Sequence, residues 1–190
     1  KANNLKEWIA LGKKDNNGLT YASAGVGTSP HMSMELFNYM AGMQSLHVPY
    51  KGVGPLLSDL MAGRLQAFFS SASAAMPQIK GGKLKALGVT TPQRMTSLPQ
   101  VPTIAEAGLP GFSYTLWGGL FAPAGTPGHV IDSLNREVNA VLAQPDIRSR
   151  LEADNVAVPK NTPAEFADYV KAESVKFEKL IKEANVKVDQ

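Results

Sequence analysis

The residues best suited to chemistry are a short run of small and polar ones, Gly25-Val26-Gly27-Thr28-Ser29-Pro30-His31. Two glycines one residue apart let a backbone adopt positive φ and approach a ligand closely. Thr28 or Ser29 ahead of Pro30 is a helix-start signal, since a hydroxyl suits the N-cap and proline is tolerated in the first turn. A helix beginning here presents unpaired N–H groups and a partial positive charge, which suit a carboxylate or a phosphate. Glycine-rich strand-to-helix turns also serve as plain connections, so the loop alone leaves both readings open.

Other candidates carry less. His31 falls in the first turn of that helix, where it either reaches a ligand or orients the loop by hydrogen bonds. His47 and His129 are too dispersed to form a metal set with it. Ser29 and His31, two residues apart on a helix, do not face each other, and no Gly-x-Ser-x-Gly elbow is present. The loop lacks the Lys-Ser/Thr ending of a nucleotide P-loop, and Gly25-Val-Gly27 is an incomplete dinucleotide fingerprint. No cofactor is expected. Ser70-Ser71-Ala-Ser73 forms a second polar loop that suits a polar ligand substituent or a serine-rich helix start. Tyr114 and Trp117 read as core aromatics, and Lys51 as a turn residue that adds positive potential if it stands near a cleft.

The elements that must hold these residues alternate strand and helix. Asn4 caps a first helix with Leu5, Trp8 and Ile9 inward and Glu7 at the capping-box position. The polar turn Lys13–Gly18 leads to a strand at Leu19–Ser23 and then to the glycine loop. The next helix carries Met32, Leu36, Phe37 and Met40, whose spacing makes the methionines core packing rather than ligands. A strand at Leu46–Tyr50, a helix through Leu56, Leu57, Leu60 and Met61 closed by Gly63, and a strand at Leu65–Phe69 follow. A helical stretch through Ile79 and a strand at Leu84–Thr90 complete the pattern. Four strands in this rhythm predict a parallel sheet flanked by helices.

After Thr91 the prolines Pro92, Pro99, Pro102 and Pro110 interrupt the chain as a connection between lobes would. Thr103, with Glu106 and Gly108, predicts one short helix. Phe112–Pro123 reads as a long strand passing through Trp117-Gly-Gly119. A helix begins at Thr126-Pro127 and breaks at Pro145. Ile147 and Leu151 support another short one, and Val156–Val158 fits a brief strand. Thr162-Pro-Ala-Glu165 is a capping box for a last helix with Phe166, Tyr169, Val170, Phe177 and Ile181 inward.

Composition narrows the classes. The 190 residues are 44% hydrophobic with a net charge of +3, enough for one large domain or two small lobes. Lysines are spread rather than clustered with aromatics, which argues against a nucleic-acid partner. The absence of cysteine removes disulfides, thiol catalysis and thiolate metal sites. No apolar run is long enough to span a bilayer.

Several stretches resemble the tripartite tricarboxylate transporter receptor, or Bug, family of extracytoplasmic solute-binding proteins. They are Leu19-Thr-Tyr-Ala-Ser-Ala-Gly-Val-Gly-Thr28 with His31, Val48-Pro-Tyr-Lys-Gly52, Gly82–Thr90 with Arg94, Leu98–Phe112, Trp117 with Ala122–Pro127, and Leu134-Asn135. They occur in order and cover nearly the whole chain. The resemblance implies an α/β fold of the periplasmic-binding-protein type II, or Venus-flytrap, kind: two lobes with mainly parallel sheets flanked by helices. It implies that residues 1–18 belong to lobe one and 19–91 form lobe two. Residues 92–113 would then be a crossover and 114–190 the returning part of lobe one. It further implies a carboxylate held between two glycine-containing loops, one per lobe, by backbone amides and water. Gly25, Val26, Gly27, Thr28 and Ser29 match the second-lobe loop, with His31, Ser70 and Ser71 near it. The first-lobe loop would lie ahead of Lys1, leaving lobe one incomplete, without a signal peptide, and prone to self-association. The function implied is that of a non-enzymatic periplasmic receptor delivering a small organic carboxylate to membrane transporter subunits. An effector-binding module of a transcription regulator and an enzyme on a similar scaffold stand as rivals. A cluster of titratable residues near Gly27 would favour the enzyme.

Overall fold

The computed structural model describes residues 2–14, 18–153, 156–183 and 186. The polar turn expected after the first helix lies largely outside them. Helix α1 (Leu5–Lys14) starts as expected. The Asn4 Oδ1 accepts from the Glu7 amide at 2.9 Å, and Glu7 reaches back to the Asn3 amide at 2.7 Å. These bonds satisfy donors that a helix start leaves open. Three strands form a parallel sheet: β1 (Thr20–Ser23), β2 (Leu46–Pro49) and β3 (Ala67–Phe68), in the order β2-β1-β3. The crossovers are helices α2 (Ser29–Ala41) and α3 (Val53–Met61), and α4 (Ala72–Lys80) follows β3.

Alternation along β1 sorts its side chains to two faces. Ala22 packs with Leu56 of α3 and Leu65, joined by Val48 and Phe68. Tyr21 and Ser23 point the other way, toward α2, and Tyr21 donates to Glu35 there. Helix α2 buries Met32 and Phe37 as their spacing predicted, together with Met34 and Ala41, while Leu36 and Met40 are half-buried. Phe37 meets Trp8 of α1 at 5.5 Å and joins Phe69 and Phe112 in an aromatic cluster.

Four expectations are corrected. Leu84–Thr90 is not a fourth strand: only an isolated parallel bridge joins Val89 to Thr103, and Val89 packs with Leu98 and Val101. Phe112–Pro123 runs without a ladder partner among the described residues, tied back by the Tyr114 amide donating to Thr90 at 3.0 Å. Apolar alternation marks a chain able to pair, but the ladder requires a neighbour. Val156–Val158 is likewise not a strand. The capping box Thr103–Glu106 forms in both directions, at 3.0 and 3.1 Å, yet it closes only a single turn. Arg94 also donates to that Glu106, at 2.8 Å, and holds its carboxyl below the usual range.

The chain divides into two compact units, one of residues 1–116 with 180–190 and one of residues 117–179. The second unit holds α5 (Gly128–Leu142), α6 (Pro145–Ala153) and most of α7 (Pro163–Glu183). Thr162 and Glu165 form the expected capping box for α7, with the Glu165 amide donating to Thr162 Oγ1 at 3.2 Å. Trp117 stands edge-on to Phe166 at 5.9 Å and to Tyr169 at 5.5 Å.

Candidate functional site

In a parallel sheet the loops that follow the strands leave from one edge, where α/β proteins place their ligands. The loop after β1 carries Gly25 through Thr28, the loop after β3 carries Ser70 and Ser71, and Lys51-Gly52 follows β2. The sequence candidates after β1 and β3 thus share one edge of one sheet.

The glycine loop is bonded to itself. Gly25 has φ 138° and Gly27 has φ 75°, conformations that suit residues without Cβ. The Gly25 carbonyl accepts from the Thr28 hydroxyl at 2.6 Å and the Thr28 amide at 3.3 Å. Thr28 is the N-cap of α2, but its hydroxyl serves the loop rather than the helix amides. The Gly27 amide donates to Nδ1 of His31 at 3.0 Å. Pro30 has no amide, so the N–H groups at this end without a partner among the described residues are those of Val26, Ser29 and His31. They stand at the positive end of a helix of 13 residues.

Beneath the loop lies a polar cluster that the sequence did not single out. Tyr21 and His47 are opposite each other in the β1–β2 register, and their rings stack at 4.8 Å. His47 in turn stacks on His31 at 4.2 Å. Nε2 of His47 lies 2.6 Å from Oγ of Ser23. That oxygen also lies 2.9 Å from the Gly25 carbonyl and accepts the Gly25 amide at 3.1 Å. Burial lowers the pKa of His31 against the raising effect of Glu35. The pKa of His47 is lowered to about 4, first by burial and then by His31. Tyr21 is pushed well up, first by burial and then by its bond to Glu35. Because Nδ1 of His31 accepts a hydrogen bond, the ring is neutral with its proton on Nε2. The signal was present in the sequence as polar residues at alternating positions of otherwise apolar strands, together with the i,i+4 spacing of Gly27 and His31.

Titratable groups therefore do converge near Gly27, as an enzyme would require. The geometry does not serve acyl transfer. Ser23 is 0% exposed, and its oxygen is engaged by Gly25 and His47 within the fold. A nucleophile must meet its substrate. Among the described residues no group of three or more His, Asp or Glu is arranged to hold a metal, and no helix is long and apolar enough to cross a membrane.

The second loop is simpler. Ser71 is the exposed N-cap of α4, with Ser73 Oγ 3.4 Å from its own. Ser70 Oγ is buried and has no hydrogen-bond partner among the described residues. Buried hydroxyls normally have a hydrogen-bond partner, so this one is the exception in the loop.

Residues 1–186 match the family model described as "Tripartite tricarboxylate transporter family receptor". A protein of Pseudomonas sp. (strain P51), "UPF0065 protein in tcbD-tcbE intergenic region", is 42% identical over 187 residues, covering 98% of this chain and 56% of its own length. Among solved structures, "R. palustris Rpa4515 with adipate" is similar with a TM-score of 0.86 at 33% identity, covering 97% of this chain and 62% of that one. "Structure of periplasmic binding protein BugD" gives 0.85 at 32%, covering 98% and 63%. "MatC (Rpa3494) from Rhodopseudomonas palustris with bound malate" gives 0.83 at 34%, covering 94% and 62%. The chain thus spans little more than half the length of that relative. Its fold is that of the periplasmic binding proteins, the class that the name of its BugD neighbour gives.

Proposed function

Because the chain belongs to the tripartite tricarboxylate transporter receptor family, we propose that it is the ligand-gripping part of a receptor for a small organic carboxylate, serving a membrane transporter. The observation that carries the reading is the glycine loop at the carboxyl edge of β1. It offers the Val26 and Ser29 amides at the positive end of α2. Two carboxylate oxygens match such donors without any cationic side chain, and charge-assisted bonds of this type are strong. Gly25, Val26, Gly27, Thr28 and Ser29 form the grip, and Ser70 and Ser71 meet the far end of the ligand. The orphaned Ser70 hydroxyl supports a polar ligand end there. Residues 19–91 act as one lobe, 92–113 as the crossover, and 1–18 with 114–190 as parts of the other. Neighbours of similar fold are solved with adipate and with malate, which makes dicarboxylates the first class to test.

The family and its solved members favour this reading over an enzyme or a regulator module. Titration calorimetry of the whole protein with malate, adipate and monocarboxylates tests it. Saturable binding of one or more carboxylates is expected, with no turnover of the ligand. A protein that takes up none of the panel, or that binds the corresponding amides equally well, would overturn the reading.

A further inference from the structure

The Gly27 amide points back into the protein at His31 Nδ1, and this fixes which donors the loop keeps for a ligand. We propose that His31 is a positioning residue: its ring acceptor holds the Gly27 amide, so that a carboxylate is received by the Val26 and Ser29 amides and not by Gly27.

Three observations support this. First, His31 is 4% exposed, so its ring is inside the fold, while residues Val26 and Gly27 are exposed. Second, an imidazole nitrogen accepting an N–H bond carries no proton. The ring therefore adds no cationic pull on a carboxylate, and its contribution is geometric. Third, the ring is held on its far side. His47 stacks on it at 4.2 Å and Tyr21 lies parallel at 6.4 Å. His47 is anchored by Ser23, and Tyr21 by Glu35, the residue four beyond His31 on the same face of α2. Ser23 also binds the Gly25 amide at 3.1 Å. The loop is thus tied beneath at Gly25 and at Gly27, and the loop amides left untied are those of Val26 and Ser29, with the His31 amide further into the helix. A pre-tied loop reduces the ordering cost that binding must otherwise meet.

The inference rests on the carboxylate reading for its consequence, but its hydrogen bond is testable without any ligand. Nitrogen-15 NMR of the whole protein should show a through-bond coupling between the Gly27 amide nitrogen and His31 Nδ1. Its absence in the wild type overturns the proposal. Calorimetry with malate and adipate then compares two variants. His31→Asn places an acceptor near the Nδ1 position and should bind within about threefold of wild type. His31→Phe keeps a stacking ring without an acceptor and should bind at least about tenfold more weakly, with thermal unfolding showing a folded protein. Equal affinity in His31→Phe and wild type overturns the proposal, as does His31→Asn falling as far as His31→Phe. If the coupling is present and neither carboxylate binds wild type, the tie stands and the carboxylate reading fails.

Discussion

The rings of His31 and His47 lie face to face, 4.2 Å apart and within 14° of parallel. Two imidazoles so placed do not both carry charge at little cost. The pKa of His47 is lowered to about 4 by burial and then by His31. An unfolded histidine titrates near 6.5. Between those values the unfolded chain binds a proton that the folded one refuses, so stability rises with pH. Stability should therefore fall as pH drops from about 6.5 to about 4, and this part of the loss should level off below. Urea unfolding at pH 7 and pH 4.5 should show the wild type losing more than His47→Gln, which cannot titrate but keeps a polar end near Ser23. The difference should be on the order of 1 kcal/mol. Identical losses would remove His47 from the account.

Gly27 supplies a second test. Its φ of 75° is open to glycine and costly to a β-branched residue, about 1–3 kcal/mol. Gly27→Val should weaken binding of malate or adipate by at least about tenfold, roughly 1.4 kcal/mol. Circular dichroism should show the fold retained. Wild-type affinity in a folded variant would place the grip elsewhere.

Much of this site was legible from residue order because its determinants are local. Gly25, Gly27 and Pro30 announce a strand-to-helix turn, and the Asn4–Glu7 and Thr162–Glu165 boxes fix two helix starts. What was hidden depends on neighbours distant in sequence. His47 read as dispersed from His31, although the β1–β2 register brings it under the glycine loop. Leu84–Thr90 and Phe112–Pro123 have the alternation of strands, but a sheet edge belongs to whichever chain pairs with it. Periodicity reports what a segment can bury, and it is silent about the partner.

The second unit offers a packing test at adjacent glycines. A Cβ on Gly119 would stand 2.1 Å from Cζ of Phe166, whereas one on Gly118 would meet nothing within 4 Å. Gly119→Ala must push Phe166 away from the Trp117 edge it meets at 5.9 Å. Overpacking of this kind costs about 1 kcal/mol or more. The variant should unfold at lower temperature with altered tryptophan fluorescence, while Gly118→Ala tracks wild type. If both variants behave alike, Phe166 gives way freely and the Trp117 contact holds nothing.

The last prediction concerns the segment that precedes α5. Leu116, Leu120 and Phe121 are 70%, 76% and 69% exposed, an apolar run on backbone that has no ladder partner among the described residues. Unpaired backbone beside apolar side chains is a template for another strand. Patches of this kind on stable proteins usually mark an interface. Burying one such side chain contributes about 1.5–3 kcal/mol, which favours covering the run against the cost of association. The 190-residue chain should therefore show a mass that grows with concentration in light scattering. Replacing Leu120 and Phe121 together by Asp should return it toward the mass of one chain, because a charge there must be desolvated on pairing. Helical content should be unchanged, since neither residue lies in a helix. A wild-type chain that stays at one mass across the concentration range would show that the exposed run needs no cover.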